Sequence, residues 1–186
     1  MIQTVKQKIC LVGDGGVGKT SLIKRFVFDQ FSDGYITTIG TKVTKKEFKM
    51  KNPINDEDTN VTMLIWDIMG QQGFRELLQE AYFYGANGVL AVCDITRKHT
   101  LNGLEGWIKS VHRMAKDAPV IFIGNKADLM EKAEFKFDNL KEYASKYGDS
   151  TVYLSSAKTG INVNLAFKTL ADEIFKDWAE MDAKNK

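Results

Sequence analysis

One stretch near the start of the chain, Gly13-Asp14-Gly15-Gly16-Val17-Gly18-Lys19-Thr20, has residue types and a spacing suited to holding phosphate groups. It fits the pattern Gly-x-x-x-x-Gly-Lys-Ser/Thr, in which main-chain N–H groups converge on phosphate oxygens. Glycines suit such a loop because a Cβ would block the approach of the backbone to the anion. The Lys19 ammonium can reach the β- and γ-phosphates, and the Thr20 hydroxyl can hold Mg²⁺. The pattern predicts a site for a nucleoside phosphate that continues to Ser21.

The residues on either side of this loop predict the elements that position it. Ile9 to Val12 is a short apolar run typical of a buried strand, and apolar residues recur at helical spacing from Lys19 to about Phe28. The positive end of that helix would point at the same anion. The alternative, a glycine-rich turn with a solvated lysine, does not explain this strand–loop–helix order.

A second stretch, Asn125-Lys126-Ala127-Asp128, follows an apolar run over 120–124. The Asp128 carboxylate can accept hydrogen bonds from N1–H and the 2-amino group of guanine, whereas adenine offers an acceptor and a C–H there. The Lys126 stem can lie on the purine face, and Asn125 can tie this loop to the phosphate loop. Alternatively, the four residues are a polar loop that leads into a helix. In a chain that also contains a phosphate loop, these four residues predict a guanine site.

A third stretch, Trp66-Asp67-Ile68-Met69-Gly70-Gln71, ends another predicted strand. Asp67 is positioned to act on Mg²⁺ through its water shell, and Gly70 has an N–H that can meet the γ-phosphate without a side chain between them. Gln71 can orient a water for in-line attack. In isolation the segment would be interpreted as a plain turn, so this assignment depends on the other two stretches.

Composition limits the class of protein. The 186 residues are 44% hydrophobic and 27% charged, as expected of one globular domain. A net charge of +2 is too small to predict nucleic acid as the main partner. Cys10 and Cys93 lie in apolar runs and are expected to be buried thiols of a reduced, intracellular protein. Met1 to Lys6 does not have the pattern of a signal peptide, so we expect no leader of this kind, and no apolar run in the sequence is long enough to cross a bilayer.

The remaining elements predict a three-layer α/β domain, because strands alternate with helices after an early hairpin. The predicted strands are Thr41 to Met50, Val61 to Asp67, Gly88 to Asp94, Val120 to Gly124 and Val152 to Leu154. The predicted helices are Arg75 to Tyr84, Leu101 to Met114, Asn139 to Tyr147, and one from Asn162 onward. Lysines crowd the first of these strands, which favours an edge strand protected against pairing over a basic docking face.

Taken together, these stretches resemble the Ras-like small GTPases. The five boxes of the family occur in order as Gly13 to Thr20, Thr38 within residues 35–40, Asp67 to Gln71, Asn125 to Asp128, and Ser155-Ser156-Ala157-Lys158. The segment Tyr82 to Ala86 and the closing helix look most like the Rab branch. The resemblance implies a P-loop NTPase fold with a six-stranded, mostly parallel sheet and one antiparallel edge strand.

The resemblance also implies roles for individual residues. Thr38 would give Mg²⁺ a second hydroxyl, beside Thr20 and Asp67, and would contact the γ-phosphate through its N–H. Phe31 would pack against the guanine edge, and Tyr35 would close over the phosphates.

In the closing box, Ala157 N–H would meet guanine O6, and Ser156 and Lys158 would shape that loop. The loop Asp29 to Gly40 and the segment Gly70 to Tyr82 would be two switches that respond to the γ-phosphate.

The activity implied is slow hydrolysis of GTP with Mg²⁺, with Gln71, Lys19 and Gly70 as catalytic residues and with GTP and GDP as ligands. Effector, exchange-factor and activating proteins would bind the switches. The nearest arginine to the first switch is Arg25, which is no evident finger, so a partner is expected to accelerate turnover. Gln72-Gly73 replaces the acidic-basic pair of the family, which leaves open a GTP-loaded scaffold with little hydrolysis.

The ends of the sequence lead to a further expectation. Met181 to Lys186 contains no cysteine, so we expect no prenyl group, and because Ile2 follows Met1 we expect no myristoyl group. We therefore expect a cytoplasmic protein without a direct lipid anchor. We also expect a monomer.

Overall fold

A computed structural model of the protein describes residues 4–32, 34, 37–52, 56–70 and 81–184. The predicted helix Arg75 to Tyr84 lies mostly outside this range, and residues 81–83 at its end are helical. Within the described part of the chain, no helix combines the length and the apolar character needed to cross a membrane.

The core of the fold is a six-stranded sheet with the order β2-β3-β1-β4-β5-β6. Among the strands of the described residues, β2 alone runs antiparallel to its neighbour, β3, and the other pairings are parallel. The predicted fold class and the predicted edge position of the lysine-rich strand are therefore confirmed. The strands are β1 Thr4–Val12, β2 Thr41–Lys51, β3 Asp58–Ile68, β4 Gly88–Asp94, β5 Val120–Asn125 and β6 Val152–Leu154.

Helices cover both faces of the sheet. Those that lie wholly within the described residues are α1 Lys19–Phe28, α2 Lys98–Met114, α3 Phe137–Ser145 and α4 Val163–Lys184, with a short 3₁₀ helix at Ala127–Lys132. The predicted start of α3 at Asn139 was wrong by two residues. The Asn139 side chain accepts a hydrogen bond from Lys136 N at 3.0 Å, as the third residue of a capping box does. Asn139 is therefore inside the first turn of α3 rather than its first residue.

Two apolar clusters lie on opposite faces of the sheet and fix its helices. On one face, α2 and α3 pack on the sheet in a cluster that includes Trp107 of α2 and Phe122 of β5. On the other, α1 and α4 meet where Phe26 stacks on Phe167 at 4.1 Å between ring centroids. Strands β4 and β5 are buried along their whole length. The free thiols of Cys10 and Cys93 are buried in this interior, as predicted.

Candidate nucleotide-binding site

A cleft of about 460 Å³ opens at the carboxyl ends of the parallel strands, where ligands bind in sheets of this kind. It is bounded by parts of all five predicted boxes. Its lining includes these predicted site residues: Gly15, Gly16, Gly18, Lys19, Thr20, Ser21, Phe31, Thr38, Gly70, Asn125, Lys126, Asp128, Ala157 and Lys158. The predicted residues Gly13, Asp14, Val17, Asp67 and Ser156 do not line the cleft, and they contact the residues that do.

The phosphate loop follows β1 and is pressed against two neighbouring strands. Gly13 has φ of +136°, and a Cβ there would lie 2.0 Å from Val92 O of β4. Gly18 has φ of +102°, and its Cβ would lie 2.2 Å from the Asn125 side-chain amide nitrogen. Glycine is required at both positions, because side chains would collide with the elements that hold the loop.

Lys19 is buried at the floor of this loop. Its Nζ donates hydrogen bonds to Gly13 O at 2.7 Å and to Asp14 O at 3.0 Å. Burial lowers the pKa of Lys19 to about 8, with Asp67 and Asp14 opposing this shift and Arg97 adding to it. Among the described residues, the carboxylates near Lys19 do not offset the cost of burying its ammonium, and a bound polyphosphate would supply the missing negative charge.

The three predicted Mg²⁺ ligands meet at one point. Thr20 Oγ1 lies 2.5 Å from Asp67 Oδ2 and 2.9 Å from Thr38 Oγ1. Asp67 is 2% exposed, and its Oδ1 has no hydrogen-bond partner among the described residues. Burial raises the pKa of Asp67 above its ordinary value, against hydrogen bonding from Thr20. A buried carboxylate oxygen without a donor, next to two hydroxyls, fits a hard cation with oxygen ligands such as Mg²⁺.

Gly70 packs directly on the phosphate loop. A Cβ at this position would lie 2.5 Å from Asp14 C and 2.5 Å from Gly15 N. The requirement for glycine thus has a cause within the protein, in addition to the γ-phosphate contact predicted from sequence. Tyr35 and Gln71 lie outside the described residues, so their roles stay predictions.

Asn125 connects the phosphate loop to the base side of the cleft. Its Nδ2 donates to Val17 O at 2.9 Å, the tie expected from the sequence, and its Oδ1 accepts from Ser155 Oγ at 3.1 Å. The same oxygen accepts the Ala157 N–H at 3.3 Å. One buried amide therefore fixes three chain segments relative to each other.

The base side itself is closed by hydrogen bonds of the Asp128 and Ser156 side chains. Asp128 Oδ1 accepts from Ser156 Oγ at 2.5 Å, and Ser156 Oγ accepts the Thr159 N–H at 3.1 Å. Phe31 lines the cleft and also packs against the apolar cluster between α1 and α4, so it makes a core contact besides the guanine contact that the resemblance implies.

Asp94, the last residue of β4, is an acidic group that the sequence analysis did not single out. Its Oδ2 lies 2.6 Å from Lys126 Nζ and 2.9 Å from Arg97 Nε. Burial alone would raise the pKa of Asp94, but hydrogen bonds from Lys126, Thr96 and Arg97 hold it below its ordinary value. Its position at the carboxyl end of a parallel strand was the signal that could have identified it.

Two further residues, Arg25 and Trp107, stabilise the cleft, and neither belongs to any of the sequence motifs. Arg25 donates to Ala157 O at 2.8 Å, to Lys158 O at 2.7 Å and to Asp29 Oδ1 at 2.9 Å. It therefore joins the base loop to the first residue of the predicted first switch.

On the phosphate side, Asp14 Oδ1 accepts from Trp107 Nε1 at 3.2 Å. Gly103 of α2 leaves room for this contact, since a Cβ there would lie 2.6 Å from Asp14 Oδ2.

Comparison with known proteins agrees with this geometry. The family model described as "Ras family" matches residues 8–176. Ras-related protein RIC1 of Oryza sativa subsp. japonica is 35% identical over 96% of this chain and 85% of its own length. GTP-binding protein ypt2 of Schizosaccharomyces pombe is 37% identical over 96% and 84%, and Ras-related protein Rab-1A of Dictyostelium discoideum is 35% identical over 90% and 79%. The chain therefore belongs to the Ras family of small GTPases, and its relatives assign it to the Rab branch.

Proposed function

We propose that this protein is a nucleotide-dependent switch, which binds GTP or GDP with Mg²⁺ and hydrolyses GTP slowly. The observation that carries the proposal is the meeting of three chemical features in one cleft of about 460 Å³. A main-chain cradle with a buried ammonium suits a polyphosphate, a set of two hydroxyls and one carboxylate suits Mg²⁺, and Asp128 with the Ala157 N–H suits guanine.

Guanine selection is assigned to Asp128. A carboxylate matches the N1–H and 2-amino donors of guanine, and adenine would leave it mispaired at a large cost. We expect GTP, but not ATP, to displace a fluorescent guanine nucleotide from the protein. Asp128→Asn should weaken guanine binding by at least about 100-fold. Equal competition by ATP, or unchanged affinity of this variant, would refute the assignment.

Hydrolysis requires little covalent chemistry from the protein. The oxygen of a water oriented by Gln71 would bond to the γ-phosphorus as the bond to the β–γ bridging oxygen breaks, giving GDP and inorganic phosphate. Lys19 and the Gly70 N–H would stabilise charge on the phosphoryl oxygens. Mg²⁺ held by Thr20, Thr38 and Asp67 would neutralise charge on the β- and γ-phosphates.

The rate should be low without a partner, because the first switch loop contains no arginine. An activating protein that supplies one would accelerate the reaction by roughly 10³- to 10⁵-fold. Single-turnover hydrolysis by the wild type and by Gln71→Leu separates a switch from a scaffold. A slower variant supports the switch, whereas equal rates would favour a scaffold in which Gln72-Gly73 misplaces Gln71.

The partners are proposed to be effector, exchange-factor and activating proteins that bind residues 29–40 and 70–82. Ile39, next to Thr38, is 90% exposed and offers an apolar contact beside the Mg²⁺ ligands. We propose that the protein works as a cytoplasmic monomer in membrane trafficking or cytoskeletal signalling. Proteins retained by Gln71→Leu but not by Thr20→Asn, which would bind nucleotide weakly, would identify the effectors.

A further inference from the structure

Arg97 is a cation beside the phosphate loop that the proposed mechanism does not use. It immediately precedes α2, and its Nη2 donates to Gly15 O at 3.2 Å. Its Nε lies 2.9 Å from Oδ2 of Asp94, whose side chain is fully buried. The guanidinium is thus held by an internal carboxylate on one side and touches the phosphate loop on the other.

The contact between Arg97 and Gly15 lies at the end of the phosphate loop that is proposed to meet the terminal phosphate. Gly70 packs against the Asp14–Gly15 peptide, where its Cβ would lie 2.5 Å from Gly15 N. Because the Gly70 N–H is the group proposed to meet the γ-phosphate, Gly15 belongs to the part of the loop next to the terminal phosphate. Arg97 therefore bonds the loop at that end, and its charge also acts on the Lys19 ammonium.

The charge around Arg97 is not cancelled by its anchor. Asp94 Oδ2 accepts from Arg97 and from Lys126 at once, so one carboxylate faces two cations. This group of three side chains carries a net positive charge at the edge of the cleft. A positive group next to the terminal phosphate stabilises a triphosphate more than a diphosphate, because the triphosphate places more negative charge nearby.

We propose that Arg97 is a positioning residue for the terminal phosphate, which fixes the Gly15 carbonyl and makes the site favour GTP over GDP. This inference rests on the proposed function, since it presumes that guanine nucleotides occupy the cleft. Arg97 acts through the loop and through its charge, and it takes no part in bond making.

The test compares Arg97→Gln, which removes the charge, with Arg97→Lys, which keeps it. The matched control is Arg113→Gln, the same change at an exposed position in the last turn of α2. Dissociation constants are measured for GDP and for a non-hydrolysable GTP analogue, with Mg²⁺, at 0.05 M and 0.5 M salt, roughly 14 Å and 4 Å in Debye length.

We expect Arg97→Gln to weaken the binding of the GTP analogue about 10-fold and the binding of GDP less than about 3-fold. Arg97→Lys should restore the ratio of the two dissociation constants to its wild-type value, and Arg113→Gln should leave that ratio unchanged. High salt should reduce the difference between wild type and Arg97→Gln. If the wild type binds both nucleotides and Arg97→Gln weakens the binding of both equally, or of neither, this inference is wrong and the proposed function stands. A wild type that binds no guanine nucleotide would overturn the proposed function and, with it, this inference.

Discussion

The phosphate half and the base half of the cleft are held by different kinds of contact. The phosphate half is residues 13–20 with the Mg²⁺ ligands, and two of its charged groups, Lys19 and Asp67, are incompletely compensated among the described residues. Lys19 is buried against main-chain carbonyls, and Asp67 Oδ1 has no hydrogen-bond partner among the described residues.

In the base half, which is Asn125, Asp128 and residues 155–158, the side chains bond to one another and to the Ala157 N–H. Burying polar groups without partners is costly. The phosphate half is therefore completed by its ligand, whereas the base half is organised before a ligand arrives.

The largest effect should come from Gly13→Ala in the phosphate half. Its Cβ would lie 2.0 Å from Val92 O, a main-chain atom that cannot turn aside. We expect the free energy of unfolding to fall by more than about 3 kcal/mol and nucleotide binding to be lost. Chemical unfolding measures the first and fluorescence titration the second.

The control for Gly13→Ala is Gly148→Ala. Gly148 also has a positive φ, +95°, but its Cβ would meet no described atom within 4 Å. That variant should lose only about 1 kcal/mol, the strain of a left-handed residue. Equal losses at the two positions would mean that the close fit of the phosphate loop to β4 is unimportant.

Asn125→Ala should affect both halves at once. It removes the bond to Val17 O of the phosphate loop and leaves the Ser155 hydroxyl and the Ala157 N–H without their acceptor. We expect the unfolding free energy to fall by about 2–4 kcal/mol. The free energy of nucleotide binding should fall by more than this. Thermal unfolding with and without GDP measures both.

Asn139→Ala is the control for this change, because it removes a single exposed capping contact worth about 0.5–1 kcal/mol. If the two asparagine variants were equally stable, the idea that Asn125 links the halves would be contradicted.

The phosphate loop, Asp67 and Asn125 were accessible from sequence because their residue types are fixed by what they must contact. A main-chain cradle needs glycine, and a cation site needs oxygen ligands. The sheet was predictable for a similar reason, since the buried runs that form β4 and β5 have no other stable location than the centre of a parallel sheet.

The supports of the cleft were not predictable in this way. Arg25, Arg97 and Trp107 bond to atoms that lie 132, 82 and 93 positions away along the chain. No local spacing encodes such contacts, because they exist only after the sheet brings separate loops together. The start of α3 was misplaced for a local reason, since asparagine is typical of the position just before a helix, whereas Asn139 fills the third helical position, where a capping box usually has Glu or Gln.

Arg25→Gln should loosen the base half and leave the phosphate half unchanged. The change removes donors to Ala157 O and Lys158 O, in a partly exposed setting where water can replace them. We expect GDP to dissociate about 5- to 10-fold faster, with little change in unfolding free energy. Stopped-flow release of a fluorescent GDP measures this.

Asp29→Ala tests whether the ion pair of Arg25 contributes to this effect. The Asp29 side chain is 90% exposed, so its pair with Arg25 should matter little and release should change by less than about 2-fold. If Asp29→Ala reproduced the effect of Arg25→Gln, the carbonyl contacts would not be the cause.

The smallest expected effect is a proton taken up by the phosphate half when nucleotide binds. Burial lowers the pKa of Lys19 from 10.5 to about 8 in the free protein, and a bound polyphosphate favours the charged form and raises it again. At pH 8, GDP binding should therefore take up about half a proton, and by pH 6.5 this uptake should vanish because Lys19 is already charged. Calorimetry in two buffers of different ionisation enthalpy measures the uptake.

The same shift has a consequence for stability without nucleotide. The pKa is lower in the folded state, so between pH 8 and pH 10.5 the unfolded chain binds more protons and folding stability gains from Lys19 as the pH rises. Below pH 8 the cost of burying the ammonium is fully present. If GDP binding at pH 8 took up no proton, Lys19 would already be charged in the free protein, and the phosphate half would need no ligand to complete it.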